Sequence, residues 1–321
     1  MSKKKKILKI ISINLLLLIT IFLAAEINCF IMAYRIHFPE FLQKKNTIDF
    51  LVSKYFEDVN REYYDVPNHK MRPIAGKNFK KNPIILFGCS VTYGYELSEN
   101  ENFSGVLSKL TKRPVYNMSG DGWTFAHMLK NLQSNPTIEN LNPDYIIYTY
   151  INDQRYRMFF IQGWPSDTGL YLRYKIDRNN NLVEVKTDYP FYWRSYLVKS
   201  MQVLSQLQAY TNHEKQSKLM LRILQESAKI MKTRYPDAKL IMLLYNENKC
   251  EKGEKRITPT NQYINEEEEE KEIKKMGFDI VNIEEEMGYP TCTLEYKVDD
   301  FHPSAKFWNE FTPKLIEKYN M

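Results

Sequence analysis

Ser90 stands in "ILFGCSVTYGY" (85–95), where an apolar run ends on Gly88 and a small-residue turn begins. A serine at that place either caps or turns the chain, or is a nucleophile raised at the edge of a sheet. The second use needs a base to take the hydroxyl proton and polar donors close by. Three other short stretches carry suitable residue types: "YNMSGDGWT" (116–124) with Asn117, Gly120 and Gly122, "YINDQ" (150–154) with Asn152, and "VDDFHPS" (298–304) with His302. Singly, each has a plainer use. The glycines supply positive φ in a turn, Asn152 and Asp153 cap a helix, and the histidine sits in a loop before one.

What brings the four stretches together is the pattern of elements around them. "PIILFG" (83–88), "PVYNM" (114–118), "DYIIYTYI" (144–151), "AKLIMLLY" (238–245) and "FDIVNI" (278–283) are rich in β-branched and aromatic residues and bounded by turn formers, as buried strands are. Between them, "ENFSGVLSKLTK", "WTFAHMLKNLQS" and "HEKQSKLMLRILQESAKIMKTRY" read as helices, and "PSAKFWNEFTPKLIEKY" opens on a Pro-Ser start signal. Strands alternating with helices predict a parallel sheet covered on both faces, an α/β fold in three α/β/α layers. In such a sheet ligands bind beyond the carboxyl ends of the strands. Ser90, Gly122, Asn152 and His302 all fall on that edge.

The set resembles the four blocks of the SGNH, or GDSL-type, hydrolase superfamily. "FGCSVTYGY" is similar to the first block, with Ser90 in the nucleophile's place and Gly94 as the glycine four residues on. "YNMSGDGWT" is similar to the second, with Gly122 as the oxyanion glycine and Gly120 as its alternative. "YINDQ" resembles the third, with Asn152, and "DDFHP" the fourth, with Asp299 and His302. The resemblance implies a flavodoxin-like sandwich and a serine esterase. Ser90 would attack an ester carbonyl, His302 accept its proton and Asp299 orient the imidazole. The Ser90 and Gly122 N–H groups and the Asn152 amide would hold the oxyanion. It implies no cofactor and no metal. Three positions depart from the blocks: Cys89 replaces an aspartate, Tyr150 replaces a glycine and is expected to narrow the pocket, and Asp300 stands beside Asp299. Cys89, as a rival nucleophile, is expected to point to the opposite side of the strand end from Ser90.

The chain begins with Lys3, Lys4, Lys5, Lys6 and Lys9, followed by "ILKIISINLLLLITIFLAA" (7–25). About 20 helical residues match a ~30 Å hydrocarbon layer, and lysines ahead of the span keep that end cytoplasmic. Phe22 and Leu23 stand where signal cleavage wants a small side chain, so an uncleaved anchor is expected rather than a signal peptide. Residues 1–34 then form the lysine-rich end and transmembrane anchor, 35–80 a juxtamembrane segment with a short amphipathic helix at "IDFLVSKYFEDV", and 81–321 the hydrolase-like domain, exposed outside the membrane.

With 321 residues, 43% of them hydrophobic and 14% aromatic, the chain can bury a sizeable core. Its formal charge of +6 is concentrated in the first lysines, which leaves no basic, aromatic-interleaved stripe for nucleic acid. Cys29, Cys89, Cys250 and Cys292 show no CxxC spacing; a Cys250–Cys292 bridge and two thiols are equally compatible with the sequence. The five histidines form no HxxxH pair. The run "EEEEEKEIKK" (266–275) reads as a solvated helix. An insertion, 155–213, holds a hairpin turning at Asn179–Asn181 and the aromatics Trp164, Tyr171, Tyr174, Tyr192 and Trp193, which either wall a substrate site or brace the sheet edge. The expected activity is removal of an acyl group, acetyl first, from an extracytoplasmic glycan or similar ester. An O-acyltransferase acting on envelope polysaccharide and a catalytically silent, membrane-tethered binding module are the alternatives.

Overall fold

Each of the five apolar runs becomes a strand. A computed structural model of the chain describes residues 12–28, 72–158, 172–185, 213–245, 249–251, 254–256, 266–288 and 302–321. The strands are β1 (Ile84–Gly88), β2 (Val115–Ser119), β3 (Tyr145–Tyr150), β4 (Arg173–Ile176), β5 (Leu182–Val185), β6 (Lys239–Leu244), β7 (Lys249–Glu251), β8 (Glu254–Arg256) and β9 (Phe278–Asn282). The central sheet has the order β2-β1-β3-β6-β9, with every neighbouring pair parallel. This is the doubly wound order whose switch point lies between β1 and β3, where the chain leaves the sheet in opposite directions and opens a crevice.

The helices are α1 (12–28), α2 (Ser90–Tyr93), α3 (Phe103–Thr111), α4 (Phe125–Ser134), α5 (Pro136–Glu139), α6 (Asp153–Arg157), α7 (His213–Arg234), α8 (Glu266–Lys275), α9 (Ile283–Met287) and α10 (Ala305–Tyr319). Side chains alternate across each strand, so the sheet feeds two cores. Ile85, Phe87, Ile146, Tyr148 and Met242 pack with Phe125, Leu129, Ile223, Leu224 and Ile273, from α4, α7 and α8. Ile84, Leu86, Ile147, Ile241 and Leu243 pack with Phe103, Leu107, Met287, Trp308 and Phe311, from α3, α9 and α10. Stacking of Phe103 on Trp308, ring centroids 4.5 Å apart, ties α3 to α10 across the second face. The Pro-Ser start is capped as expected, Ser304 accepting from the Phe307 N–H, and Thr124 forms a capping box with His127 at the start of α4.

The chain divides into two compact units, and the sheet lies in the second. Of the first, the described residues are α1 alone, whose Leu16 and Leu18 are 66% and 64% exposed. Among the described residues no helix is long and apolar enough to cross a membrane. Residues 7–11 and 29–34 of the expected anchor, and the amphipathic patch at 48–59, lie outside the described residues.

Two expectations change. Residues 72–79, assigned by sequence to the juxtamembrane segment, touch the sheet: Ala75 pairs antiparallel with Val115 at the start of the open edge of β2. The acidic run does form α8, with Lys274 paired to Glu270 and Lys275 to Glu272, but Glu269 is turned inward and buried. The insertion's hairpin is present as β4 and β5, its turn closed by Asp177 accepting from the Asn179 and Asn181 N–H groups. Tyr174 is buried, and its hydroxyl donates to Gln133 of α4 at 2.9 Å, which makes it a brace. Burial raises its phenol well above the usual range. Trp164, Tyr171, Tyr192 and Trp193 lie outside the described residues.

Candidate active site

β1 ends on Gly88 and the chain turns at once into α2, whose first residue is Ser90. The turn is possible because Gly88 has φ +157; a Cβ there would lie 2.1 Å from Thr92 Oγ1 and 3.3 Å from the Thr149 carbonyl. α2 is a single turn, closed by Gly94 at φ +79, with the Gly94 and Tyr95 N–H groups donating to the Ser90 carbonyl at 3.0 and 3.2 Å. Such a short helix has no stability of its own. Buried polar groups supply it. The Asn117 side-chain amide on β2 donates to the Thr92 carbonyl at 2.9 Å and is itself held by the Ser119 hydroxyl. From the other side, the guanidinium of Arg72 donates to the Gly94 and Leu97 carbonyls at 2.6 and 3.0 Å, pairs with Glu99 at 2.7 Å and lies 4.6 Å from the Tyr93 ring centroid.

His302 arrives just before α10, between the described end of the chain's last loop and the Ser304 cap. Its Nε2 lies 2.9 Å from Ser90 Oγ, although 212 residues separate the two in sequence. Both are buried, Ser90 at 3% and His302 at 4% exposure. That is hydrogen-bond distance between a hydroxyl and the ring nitrogen that would accept its proton. Asp299 and Asp300, the carboxylates expected beside the imidazole, lie outside the described residues. Tyr95 packs against the imidazole, ring centroids 5.0 Å apart, and remains 42% exposed.

The remaining sequence candidates end neighbouring strands. Gly88 pairs with Ser119, and Phe87 with Tyr148, so Gly120 and Tyr150 close β2 and β3 level with Cys89. Gly122 is the third residue after β2, in the turn, at φ +70. Gly120 faces the Trp123 ring, where a Cβ would come within 2.6 Å. Asn152 occupies the turn between β3 and α6, half-buried, on the far side of the β1/β3 crevice from Gly122. Ser90 and Asn152 thus flank the switch point.

Cys89 is fully buried in the second core with Ile84 and Leu86; the turn after Gly88 puts it there, since strand alternation alone would send it with Ile85 and Phe87. Tyr150 does something other than narrow a pocket. Its ring is buried in the first core against Phe125, centroids 5.4 Å apart, and its hydroxyl accepts from Arg155 Nε. Arg155 was not legible as a site residue, and neither was Gln154. The latter is fully buried, with its Oε1 accepting from the Tyr148 hydroxyl at 3.0 Å and its Nε2 donating to the Thr149 carbonyl at 3.4 Å. Burial pushes the Tyr148 phenol well above its usual range, which keeps it neutral and a donor. A polar residue inside an apolar strand, as at Asn117, is the one signal in the sequence that such scaffolding exists.

No family model matches the sequence, and no curated protein matches it. Among solved structures, one described as TesA is 12% identical with a TM-score of 0.43, over 74% of this chain and 97% of that one. A lipolytic protein of the G-D-S-L family from Veillonella parvula is 11% identical with a TM-score of 0.41, over 75% and 99%. An acetyl xylan esterase from Butyrivibrio proteoclasticus is 12% identical with a TM-score of 0.41, over 78% and 64%.

Proposed function

We propose that the chain is a serine esterase of the SGNH, or GDSL-type, superfamily, held at a membrane by its N-terminus, that removes an acyl group from an extracytoplasmic ester such as an acetylated glycan. The observation that carries this reading is the 2.9 Å contact between Ser90 Oγ and His302 Nε2 at the carboxyl edge of a parallel sheet. In the reaction, His302 Nε2 takes the Ser90 proton as Oγ bonds to the ester carbonyl carbon. Asp299, three residues upstream, steadies the imidazolium. The carbonyl oxygen, now an anion, is held by the Ser90 N–H, the Gly122 N–H or its neighbour at Gly120, and the Asn152 side-chain amide. The imidazolium returns its proton to the departing alcohol oxygen, leaving an acyl-serine. Water then repeats the sequence, His302 taking its proton, and releases the carboxylic acid.

The anchor is supported by the lysine-flanked apolar stretch and by the exposed leucines of α1. Residues 7–34 would cross the membrane with the lysines inside and residues 35–321 outside. The chain is therefore expected in the pellet after alkaline extraction of membranes, and its domain is expected to be cut by protease added outside intact cells. Release into the supernatant would remove the anchor from this reading.

The activity is tested with detergent-solubilised full-length chain and p-nitrophenyl acetate. Hydrolysis that saturates with substrate is expected, and its absence would overturn the esterase reading. Adding an acetylated oligosaccharide as substrate should release acetate into water. If the acetyl group instead appeared on an added acceptor sugar, the same acyl-serine would be serving transfer rather than hydrolysis.

A further inference from the structure

The acidic run at 266–275 sends one carboxylate inward. Glu269 Oε1 accepts from Arg155 Nη1 at 2.8 Å and from the Ser217 hydroxyl, joining α6, α7 and α8. The side chains of the pair are 5% and 9% exposed. Burying two opposite charges costs several kcal/mol of desolvation for each ion, and a well-packed apolar pair would commonly serve stability as well or better. What an ion pair adds is direction.

That direction leads to Asn152. Arg155 Nε donates to the Tyr150 hydroxyl, two residues before Asn152, while the Arg155 backbone N–H donates to the Asn152 carbonyl at 3.2 Å. The same turn is closed by the Gln154 N–H on the Ile151 carbonyl at 3.0 Å. Tyr150, Asn152 and Arg155 therefore form one bracket, and Glu269 fixes its outer end. With its guanidinium enclosed by Glu269 and Tyr150, Arg155 is not placed to bind a substrate anion.

We propose that Glu269 and Arg155 are positioning residues that set the Asn152 amide for its work on the oxyanion, through Tyr150 and the 150–155 turn; this rests on the esterase reading above. Tyr150 is then the device that connects the turn to the ion pair. An oxyanion donor acts on the transition state, so a small displacement of it lowers kcat and leaves KM nearly in place.

The experiment measures kcat and KM of the full-length chain on p-nitrophenyl acetate for the wild type, Asn152→Ala, Glu269→Gln and Tyr150→Phe, and for both double variants with Asn152→Ala. Glu269→Gln is expected to lower kcat about tenfold and Tyr150→Phe about threefold, with KM within about twofold. Neither should lower kcat further in the Asn152→Ala background. Tyr150→Phe removes one hydroxyl and keeps the buried ring, so it carries the test if Glu269→Gln does not fold. Wild-type kcat in the folded single variants would overturn the proposal, and so would a full additional loss in the Asn152→Ala background, which marks an effect unrelated to the amide. Unchanged kcat in Asn152→Ala itself would take the oxyanion role from Asn152 and the proposal with it. A wild type without hydrolysis would overturn the parent reading instead.

Discussion

Ser90→Ala and His302→Ala are each expected to lower kcat on p-nitrophenyl acetate by about 10⁶-fold, and the double variant by no more than either alone. The reason is that the two side chains act as one unit. Without the hydroxyl there is nothing to acylate; without Nε2, 2.9 Å away, the hydroxyl keeps its proton at neutral pH. Neither substitution removes an apolar core side chain, so circular dichroism and thermal melting should change little. A residual rate well above background in Ser90→Ala would point to another nucleophile. Cys89 is a poor candidate, since its side chain is enclosed among Ile84, Leu86 and Val91.

Gly88→Ala is expected to lower both stability and rate, by a different route. A Cβ at this position lies 2.1 Å from Thr92 Oγ1 and 2.8 Å from Thr92 Cβ, on a backbone with φ +157. Strained φ and overpacking together cost about 2–6 kcal/mol. For a domain of this size that lowers Tm by roughly 5–20 °C. Relief can come only by shifting α2, which carries Ser90, and kcat should fall about 10²-fold through misplacement of the nucleophile. Thr92 Oγ1 has no hydrogen-bond partner among the described residues, so its removal is cheap. Thr92→Ala should therefore restore part of the Tm and rate lost in Gly88→Ala. A Gly88→Ala protein with wild-type melting and rate would show that the turn is not what holds Ser90.

The five strands were readable because strands buried on both faces leave unbroken apolar runs, and their ends fixed where Ser90, Asn152 and His302 would emerge. The contact of Ser90 with His302 followed from the fold, since β1 is central and α10 lies on its second face. The scaffolding was harder to read. "EEEEEKEIKK" looks solvated when charge is counted along the chain, yet Ile273 is its one apolar residue, and Glu269 lies four positions earlier on the same helical face. Wherever Ile273 is buried, Glu269 is drawn in with it. Tyr150 read as a pocket residue because only its distance from Asn152 was visible; strand alternation sends its ring into the first core. Residues 72–79 have no apolar period, and their place depends on Ala75 meeting the edge of β2 and on Arg72 reaching three partners, none of which leaves a trace in spacing.

Phosphonylation of the full-length chain by a fluorophosphonate, read by mass spectrometry of the peptide spanning 85–95, asks directly whether His302 activates Ser90. One phosphonyl adduct on Ser90 is expected in the wild type, with no adduct in Ser90→Ala and almost none in His302→Ala over the same time. Equal labelling of wild type and His302→Ala, or an adduct on any residue other than Ser90, would contradict it.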